Sequence, residues 1–537
     1  MGDVLVVDRL TVALPEGSDR PHAVEDVSFA VGAGEIVCIV GESGSGKSIS
    51  AFTVMGLLPR EVAPVAGSIQ LEGEQLMGTP EARYRELRGS RMAMIFQEPM
   101  TALNPVRTIG DQIEEAMKVH TRMSAAERRA RTLETIGQVN LPDPAHIIGA
   151  FPHQLSGGQR QRAMIAGALA LDPALLIADE PTTALDVTTQ AQILRLIAEL
   201  RARRGTGVLF ITHDFGVVAE IAHRVVVMQK GRVVEKGLAE DVLERPQHPY
   251  TRELIAAVPS LEPARRATLG DAPVVLRTKN LRKVYSSGGL FQKKRVVEAA
   301  KDVSIEIRRG ETVAIVGESG SGKSTVARCI ARLIDPTSGE IAIDGVDYAK
   351  LPERALRNHR RRMQIVFQDP YRSLNPRRTI AQSMIEASVN FGARPSDAMK
   401  RAGEMLDLVH LPRQALDRYP HQFSGGQRQR ICIARALMPQ PEVVIADEAV
   451  SALDVSIQAQ VLTLFDEIRT RFSLALLFIT HDLRVAAQIC DRIVVMQKGV
   501  VVEQGVAKDV FAAPQHAYTK ALFAAAPGRR PGSATSD

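Results

Sequence analysis

The sequence predicts an α/β protein made of two tandem copies of one domain, each organised around a largely parallel sheet. Three observations lead there. Long motifs recur once at nearly constant spacing, short apolar runs alternate with helical patterns, and a glycine-rich phosphate-binding pattern follows an apolar run in each copy.

The repeat is carried by five motifs. Gly41, Ser43, Gly44, Ser45, Gly46, Lys47 and Ser48 recur as Gly317, Ser319, Gly320, Ser321, Gly322, Lys323 and Ser324, an offset of 276 (317 − 41). Gln97, in Phe96-Gln97-Glu98-Pro99, recurs as Gln368, an offset of 271 (368 − 97). Ser156-Gly157-Gly158-Gln159 recurs as Ser424-Gly425-Gly426-Gln427, an offset of 268 (424 − 156), which Asp179-Glu180 with Asp447-Glu448 and His213 with His481 also keep. The drift confines insertions and deletions to the front of each half. Proline, glycine and charge replace apolar periodicity at Pro259 to Pro263 and Gly270 to Pro273. The expected units are a first domain at 1–262, a linker at 263–273, a second domain at 274–526 and a disordered tail at 527–537.

Within each half the elements follow in order. Ile36 to Val40, Leu175 to Ala178 and Val208 to Ile211 are strand-sized apolar runs, as expected of buried parallel strands. Ile193, Ile197 and Leu200 sit at helical spacing between the last two, as do Ile457, Val461, Leu464, Phe465 and Ile468 in the second half. Val274-Val275-Leu276 opens the second half as a strand, and 109–140 and 380–410 are long helical stretches that predict an inserted helical subdomain.

Composition narrows the function classes. The 537 residues are 45% hydrophobic and 24% charged, which suits large cores and excludes wholesale disorder. No apolar run approaches the roughly 18–20 residues that span a bilayer, and Met1-Gly2-Asp3-Val4 lacks a basic n-region, so a cytoplasmic protein without a signal peptide is expected. Cys38, Cys329, Cys432 and Cys490 are far apart, which disfavours zinc and disulfide frameworks. The net charge is only +6. Arg128-Arg129 and Arg360-Arg361-Arg362 read as solvated helix faces, and with no tryptophan and 4% aromatics there is no stacking platform for single strands.

Each motif has a chemical reading. In the glycine-rich loop, backbone N–H groups turn inward around phosphates at a helix N-terminus. Lys47 and Lys323 reach the β- and γ-phosphates, and Ser48 and Ser324 ligate Mg²⁺. Asp179 and Asp447 end apolar strands, where a carboxylate holds Mg²⁺, and the adjacent Glu180 and Glu448 orient or deprotonate an attacking water. His213 and His481 each follow a strand and suit contact with a γ-phosphate; no second histidine or cysteine stands at metal-ligand spacing. Ser156 and Ser424 are helix N-caps before paired glycines, which makes a second anion site in each half.

Together these motifs resemble the ATP-binding cassette ATPases, over nearly the whole chain and twice. The resemblance implies an antiparallel β subdomain and a helical subdomain beside each sheet. It implies ATP and Mg²⁺ as ligands, bound by Walker A loops at 41–48 and 317–324 that extend to Ile49 and Thr325. Gln97 and Gln368 become glutamine-loop residues that join Ser48, Asp179, Ser324 and Asp447 around Mg²⁺. Ser156, Gly157, Gly158 and Gln159, with Ser424, Gly425, Gly426 and Gln427, become the nucleotide-contacting signatures, Glu180 and Glu448 the catalytic glutamates, and His213 and His481 the switch histidines. Ala184-Leu185-Asp186 and Ala452-Leu453-Asp454 match the D-loop. In the family two cassettes pair head to tail, so each ATP lies between one Walker A loop and the opposite signature.

A narrower likeness concerns Gln97 to Pro105, Gln368 to Pro376, Gln247-His248-Pro249-Tyr250-Thr251 and Gln515-His516-Ala517-Tyr518-Thr519. These are similar to fused ATPases of bacterial oligopeptide/dipeptide importers, of the microcin C or glutathione type. That likeness implies an ATPase energising peptide import at the cytoplasmic face of the inner membrane. Two permease subunits would be contacted through the glutamine loops and a solute-binding protein indirectly, with no nucleic acid. The alternative is a soluble tandem-cassette ATPase acting on ribosomes or nucleic acid, but the short proline-containing linker argues against it. The cysteine-rich C-terminal motif of some members is missing, so no iron–sulfur cluster is expected. For the aromatic that stacks on adenine, the second half offers Tyr285 and the first only His22.

Overall fold

A computed structural model describes residues 2–182, 185–264, 266, 270–287, 295–451 and 453–526. Ala184, Ala452, the tail 527–537 and part of the linker 263–273 lie outside the described residues.

The first half begins with β1 (Asp3–Ala13), β2 (His22–Gly32), β3 (Ile36–Val40), β4 (Ala63–Leu71) and β5 (Glu74–Gln75). It continues with β6 (Met92–Ile95), β7 (Leu175–Asp179), β8 (Gly207–Ile211), β9 (Arg224–Gln229) and β10 (Arg232–Leu238). Strands β2-β1-β4-β5 form an antiparallel sheet, and β10-β9-β3-β8-β7-β6 form a six-stranded sheet in which only the β10 edge is antiparallel. The second half repeats this. Its strands are β11 (Val274–Ser287), β12 (Arg295–Arg308), β13 (Thr312–Val316), β14 (Ser338–Ile343) and β15 (Val346–Asp347). Then come β16 (Met363–Val366), β17 (Val443–Asp447), β18 (Ala475–Ile479), β19 (Arg492–Gln497) and β20 (Val500–Val506). The orders are β12-β11-β14-β15 and β16-β17-β18-β13-β19-β20.

The central strands are apolar throughout because both faces are covered. Ile36, Cys38, Val40, Leu176, Ala178, Val208 and Phe210 point to the side packed by helices. Val37, Ile39, Leu175, Ile177, Leu209 and Ile211 point the other way, into a core shared with β1, β2 and β4. Period-2 alternation therefore feeds two cores from one set of strands.

The helical stretches expected at 109–140 and 380–410 are each broken once. Helices Ile109–His120 and Ala125–Gln138 meet at Ser124, whose hydroxyl accepts the Glu127 amide at 3.3 Å while Glu127 accepts the Ser124 amide at 2.7 Å. That capping box starts a new helix. The second pair, Ile380–Asn390 and Pro395–Leu408, is split by Gly392 at φ 94 and by Pro395 at the new N-terminus. Among the described residues no helix is long and apolar enough to cross a membrane.

Candidate functional site

Both glycine-rich loops lead from a buried strand into a helix. Gly46 and Gly322, at φ 101 and 105, enter the helices Lys47–Met55 and Lys323–Ile330. A Cβ on Gly46 would come within 2.7 Å of the Ala23 carbonyl, so the turn admits only glycine. Gly44 and Gly320 instead face open space. Ser45 Oγ and Ser321 Oγ are buried without a hydrogen-bond partner. An open cradle beside orphaned buried hydroxyls fits an anionic ligand.

Lys47 Nζ donates to the carbonyls of Gly41 at 2.7 Å and Glu42 at 2.9 Å, and Lys323 repeats this with Gly317 and Glu318 at 2.7 and 2.8 Å. Burial lowers the pKa of both ammonium groups, opposed in Lys47 by Glu180, Asp454, Asp179 and Glu42. Ser48 Oγ donates to Asp179 Oδ1 at 3.0 Å, and Ser324 Oγ to Asp447 Oδ1 at 3.0 Å. Burial pushes the Asp179 carboxyl up to about 6, despite its bond from Ser48, and the adjacent Glu180 adds to the rise. Asp447 shifts the same way, with burial again the main cause. A hydroxyl and a buried carboxylate, both hard oxygen donors, fit Mg²⁺ in each half.

The glutamates stand on strained backbone. Glu180 has φ 46 and Glu448 φ 51, in the left-handed region that costs a non-glycine residue energy. Their amides donate to the carbonyls of Ile211 and Ile479 at 2.9 Å. Gln97 Nε2 donates to Glu180 Oε2 at 2.9 Å, and Gln368 Nε2 to Glu448 Oε2 at 2.9 Å. His213 Nδ1 lies 3.3 Å from Glu180 and His481 Nδ1 lies 3.5 Å from Glu448. Burial disfavours the charged imidazoles, but the glutamates outweigh it, so both histidine pKa values rise. Gln97 and Gln368, expected beside the metal oxygens, thus bond the glutamates through their amide nitrogens here.

Ser156 and Ser424 cap the helices Gly157–Leu169 and Gly425–Leu437 in complete capping boxes. Each serine hydroxyl accepts the glutamine amide at 3.3 Å, and Gln159 and Gln427 accept the serine amides at 2.9 and 3.1 Å. Gln159 and Gln427 are therefore engaged in holding the helix start. Beside each helix stands a glutamine-loop side chain: Arg160 bonds Met100 and Arg428 stacks over Tyr371 at 3.8 Å. Met100 and Tyr371 are 56% and 62% exposed.

The two halves meet at these sites. Asp454 acts electrostatically on Lys47 and His213, and Asp186 on Lys323. Ser456 Oγ donates to Glu42, and Val187 packs among Leu483, Ala486 and Cys490. A central cavity of about 90 Å³ is lined by His213 and Asp214 from one half and His481 and Arg484 from the other.

His22 opens β2, while Tyr285 lies on β11, the second-half equivalent of β1. Leu10 pairs with Val27 as Leu281 pairs with Val303, and that register places Leu14 at the Tyr285 position. Sequence reasoning also gave no role to Glu42, Arg484, Tyr250 or Tyr518. The tyrosines had a signal, a repeated His-x-Tyr segment, but no chemistry attached to it.

The ABC transporter family model matches residues 24–183 and 300–451, and that of the oligopeptide/dipeptide transporter C-terminal region matches 234–292 and 502–536. A glutathione import ATP-binding protein of Escherichia coli (strain K12) is 47% identical over 99% of this chain and 90% of its own length. Its namesake from Shigella boydii serotype 4 is 46% identical over the same shares. A solved dimeric ATP-binding cassette in a post-hydrolysis state, bound to ADP and Pi, is 31% identical over 43% of this chain and 98% of its own, with a TM-score of 0.40.

Proposed function

The chain belongs to the ABC transporter family, and from that premise we propose how its residues act. It is the ATP-hydrolysing subunit of a peptide-type importer. The observation that carries this reading is the pairing, in each half, of a phosphate loop whose serine bonds a strand-end aspartate with a glutamate held by a glutamine and a histidine. Residues 1–262 and 274–526 act as the two cassettes.

Lys47 and Lys323 leave their carbonyl contacts to bind phosphate. Ser48 with Asp179, and Ser324 with Asp447, would hold Mg²⁺, with Gln97 and Gln368 as further oxygen donors. When bound, the cation neutralises phosphate charge. Glu180 and Glu448, released from glutamine, accept the proton of the attacking water, and His213 and His481 fix their carboxylates. Ser156 to Gln159 and Ser424 to Gln427 close over the nucleotide held by the opposite half. Asp454 and Asp186 already stand at the opposite lysines.

Membrane permeases are the partners, and the exposed segments around Met100 and Tyr371 dock them at the cytoplasmic face. A solute-binding protein delivers the cargo to those permeases. The likeness to glutathione import ATP-binding proteins favours glutathione-sized peptides.

The test is turnover by the full chain with its permeases. Glu180→Gln and Glu448→Gln should each lower hydrolysis by roughly 10²–10⁴-fold, the worth of a positioned base, while ATP binding persists. An unchanged rate in either variant removes that glutamate from the mechanism.

A further inference from the structure

The segment Gln247-His248-Pro249-Tyr250-Thr251 returns as Gln515-His516-Ala517-Tyr518-Thr519. Its construction explains why these residue types recur. Glu235 on β10 accepts the amides of Gln247 at 2.7 Å and His248 at 3.1 Å, and Glu503 on β20 accepts those of Gln515 at 2.8 Å and His516 at 3.0 Å. The carboxylate thus fixes the approach to a helix.

The histidine then starts that helix. His248 Nδ1 accepts the Tyr250 amide at 3.2 Å and caps Pro249–Ala256; His516 Nδ1 accepts the Tyr518 amide at 3.2 Å and caps Ala517–Ala524. Proline suits the first helical position, where no amide partner is needed, and alanine replaces it without disturbing the cap.

This construction sends the tyrosine ring back to the phosphate loop. Tyr250 Oη accepts the Glu42 amide at 3.2 Å, and Tyr518 Oη accepts the Glu318 amide at 3.1 Å. The same peptide unit has its carbonyl, that of Gly41 or Gly317, bonded by Lys47 or Lys323 at 2.7 Å. One peptide plane is therefore clamped on both edges, by the loop's own lysine and by a tyrosine 208 residues away in one half and 200 in the other. Burial keeps both phenols neutral, raising them to about 12. The Glu42 and Glu318 amides are thereby engaged by the tyrosines, and the lysines hang from a fixed anchor.

We propose that Tyr250 and Tyr518 are positioning residues of the two ATP sites, through which each half's C-terminal extension sets the shape of its own phosphate loop and hence its affinity for ATP. The proposal rests on the reading of those loops as ATP sites. It assigns the extension a task inside the cassette, separate from any contact with permeases.

The experiment uses the full chain with Tyr250→Phe, Tyr518→Phe and both together, beside Lys47→Ala with Lys323→Ala. A fluorescent ATP analogue with Mg²⁺ gives Kd, steady-state hydrolysis gives KM and kcat, and melting without nucleotide reports folding. Phenylalanine keeps the ring packing and removes only the hydroxyl. The expected result is a roughly three- to tenfold rise in Kd and KM, as one lost hydrogen bond brings. kcat should be retained and melting should shift by no more than about 2 °C. Unchanged Kd and KM in the phenylalanine variants, or a loss confined to kcat, would overturn the positioning role while the lysine variants still lose ATP. Wild-type affinity in the lysine variants would overturn the site reading and the proposal with it.

Discussion

Asp179 shows how a single position trades stability for function. Its carboxyl is 3% exposed, and burial lifts it from an ordinary 3.8 to about 6. A raised carboxyl means the folded state holds its proton more tightly than the unfolded chain does. The penalty is therefore absent below 3.8, grows as pH rises through that interval, and is complete above about 6. Asparagine keeps an acceptor for Ser48 and removes the buried charge. Asp179→Asn should thus stabilise the nucleotide-free chain at pH 7, by on the order of 3 kcal/mol, while abolishing Mg²⁺-dependent hydrolysis at that site. Melting curves at pH 7 and pH 4 check the sign: the gain should be present at the first and nearly gone at the second. A variant that melts lower at pH 7 would show that the carboxylate is well solvated.

The signature helices separate glycine needed for packing from glycine needed for access. A Cβ on Gly158 would lie 2.7 Å from the Thr189 methyl, and one on Gly426 would lie 2.5 Å from Ile457. The neighbouring Gly157 and Gly425 meet nothing within 4 Å. Gly158→Ala should therefore lower the melting temperature, whereas Gly157→Ala should hold or raise it, since alanine favours helix by up to about 1 kcal/mol. If the space over Gly157 receives the nucleotide of the opposite half, Gly157→Ala should still reduce hydrolysis; full activity in a stable Gly157→Ala protein would remove that helix start from the site. Much here was legible beforehand. The apolar runs, the phosphate loops and the Ser-Gly-Gly-Gln caps all form where the pattern places them, because each is decided by residues a few positions apart. The break at Ser124 was written in Ser124 and Glu127 and was missed under a continuous apolar period. That Leu14 matches Tyr285 was not legible, since strand register depends on which residues of β1 and β2 face each other. The Tyr250 contact spans more than two hundred positions, and no local pattern encodes such a meeting.

The joint between the two halves is not symmetric, although the chain is a repeat. Arg484 crosses it, donating to Asp214 Oδ2 at 2.9 Å and Oδ1 at 3.2 Å, with side chains only 11% and 21% exposed. Its Nε also stands 3.5 Å from Asp482 Oδ1, whose carboxylate accepts the Arg484 backbone amide at 2.8 Å. One guanidinium therefore ties together the two aspartates that directly follow His213 and His481. The repeat offset of 268 (484 − 216) puts Gly216 at the matching position of the first half, so no reciprocal tie exists. Removing one partner of such a pair leaves an unpaired buried charge, typically at a cost of about 3–5 kcal/mol, whereas removing both leaves none. Arg484→Ala and Asp214→Ala should each destabilise the chain, and the double variant should fall well short of their sum. Burial alone raises the Asp214 carboxyl, but Arg484 outweighs it and holds it below the ordinary 3.8. A depressed carboxyl stabilises above its unfolded value and loses that contribution as pH falls through the folded one. Without Arg484 burial raises the Asp214 carboxyl above 3.8, so the difference between wild type and Arg484→Ala should be greatest near pH 7 and shrink as pH falls, beginning above 3.8. Because the guanidinium bonds Asp214 at 2.9 Å but only approaches Asp482 to 3.5 Å, Arg484→Ala should also change hydrolysis at the Glu180 site more than at the Glu448 site. Single-site turnover is readable in Glu448→Gln and Glu180→Gln backgrounds respectively. Additive destabilisation, or equal effects on both sites, would mean that the Arg484–Asp214 pair does not hold the halves together.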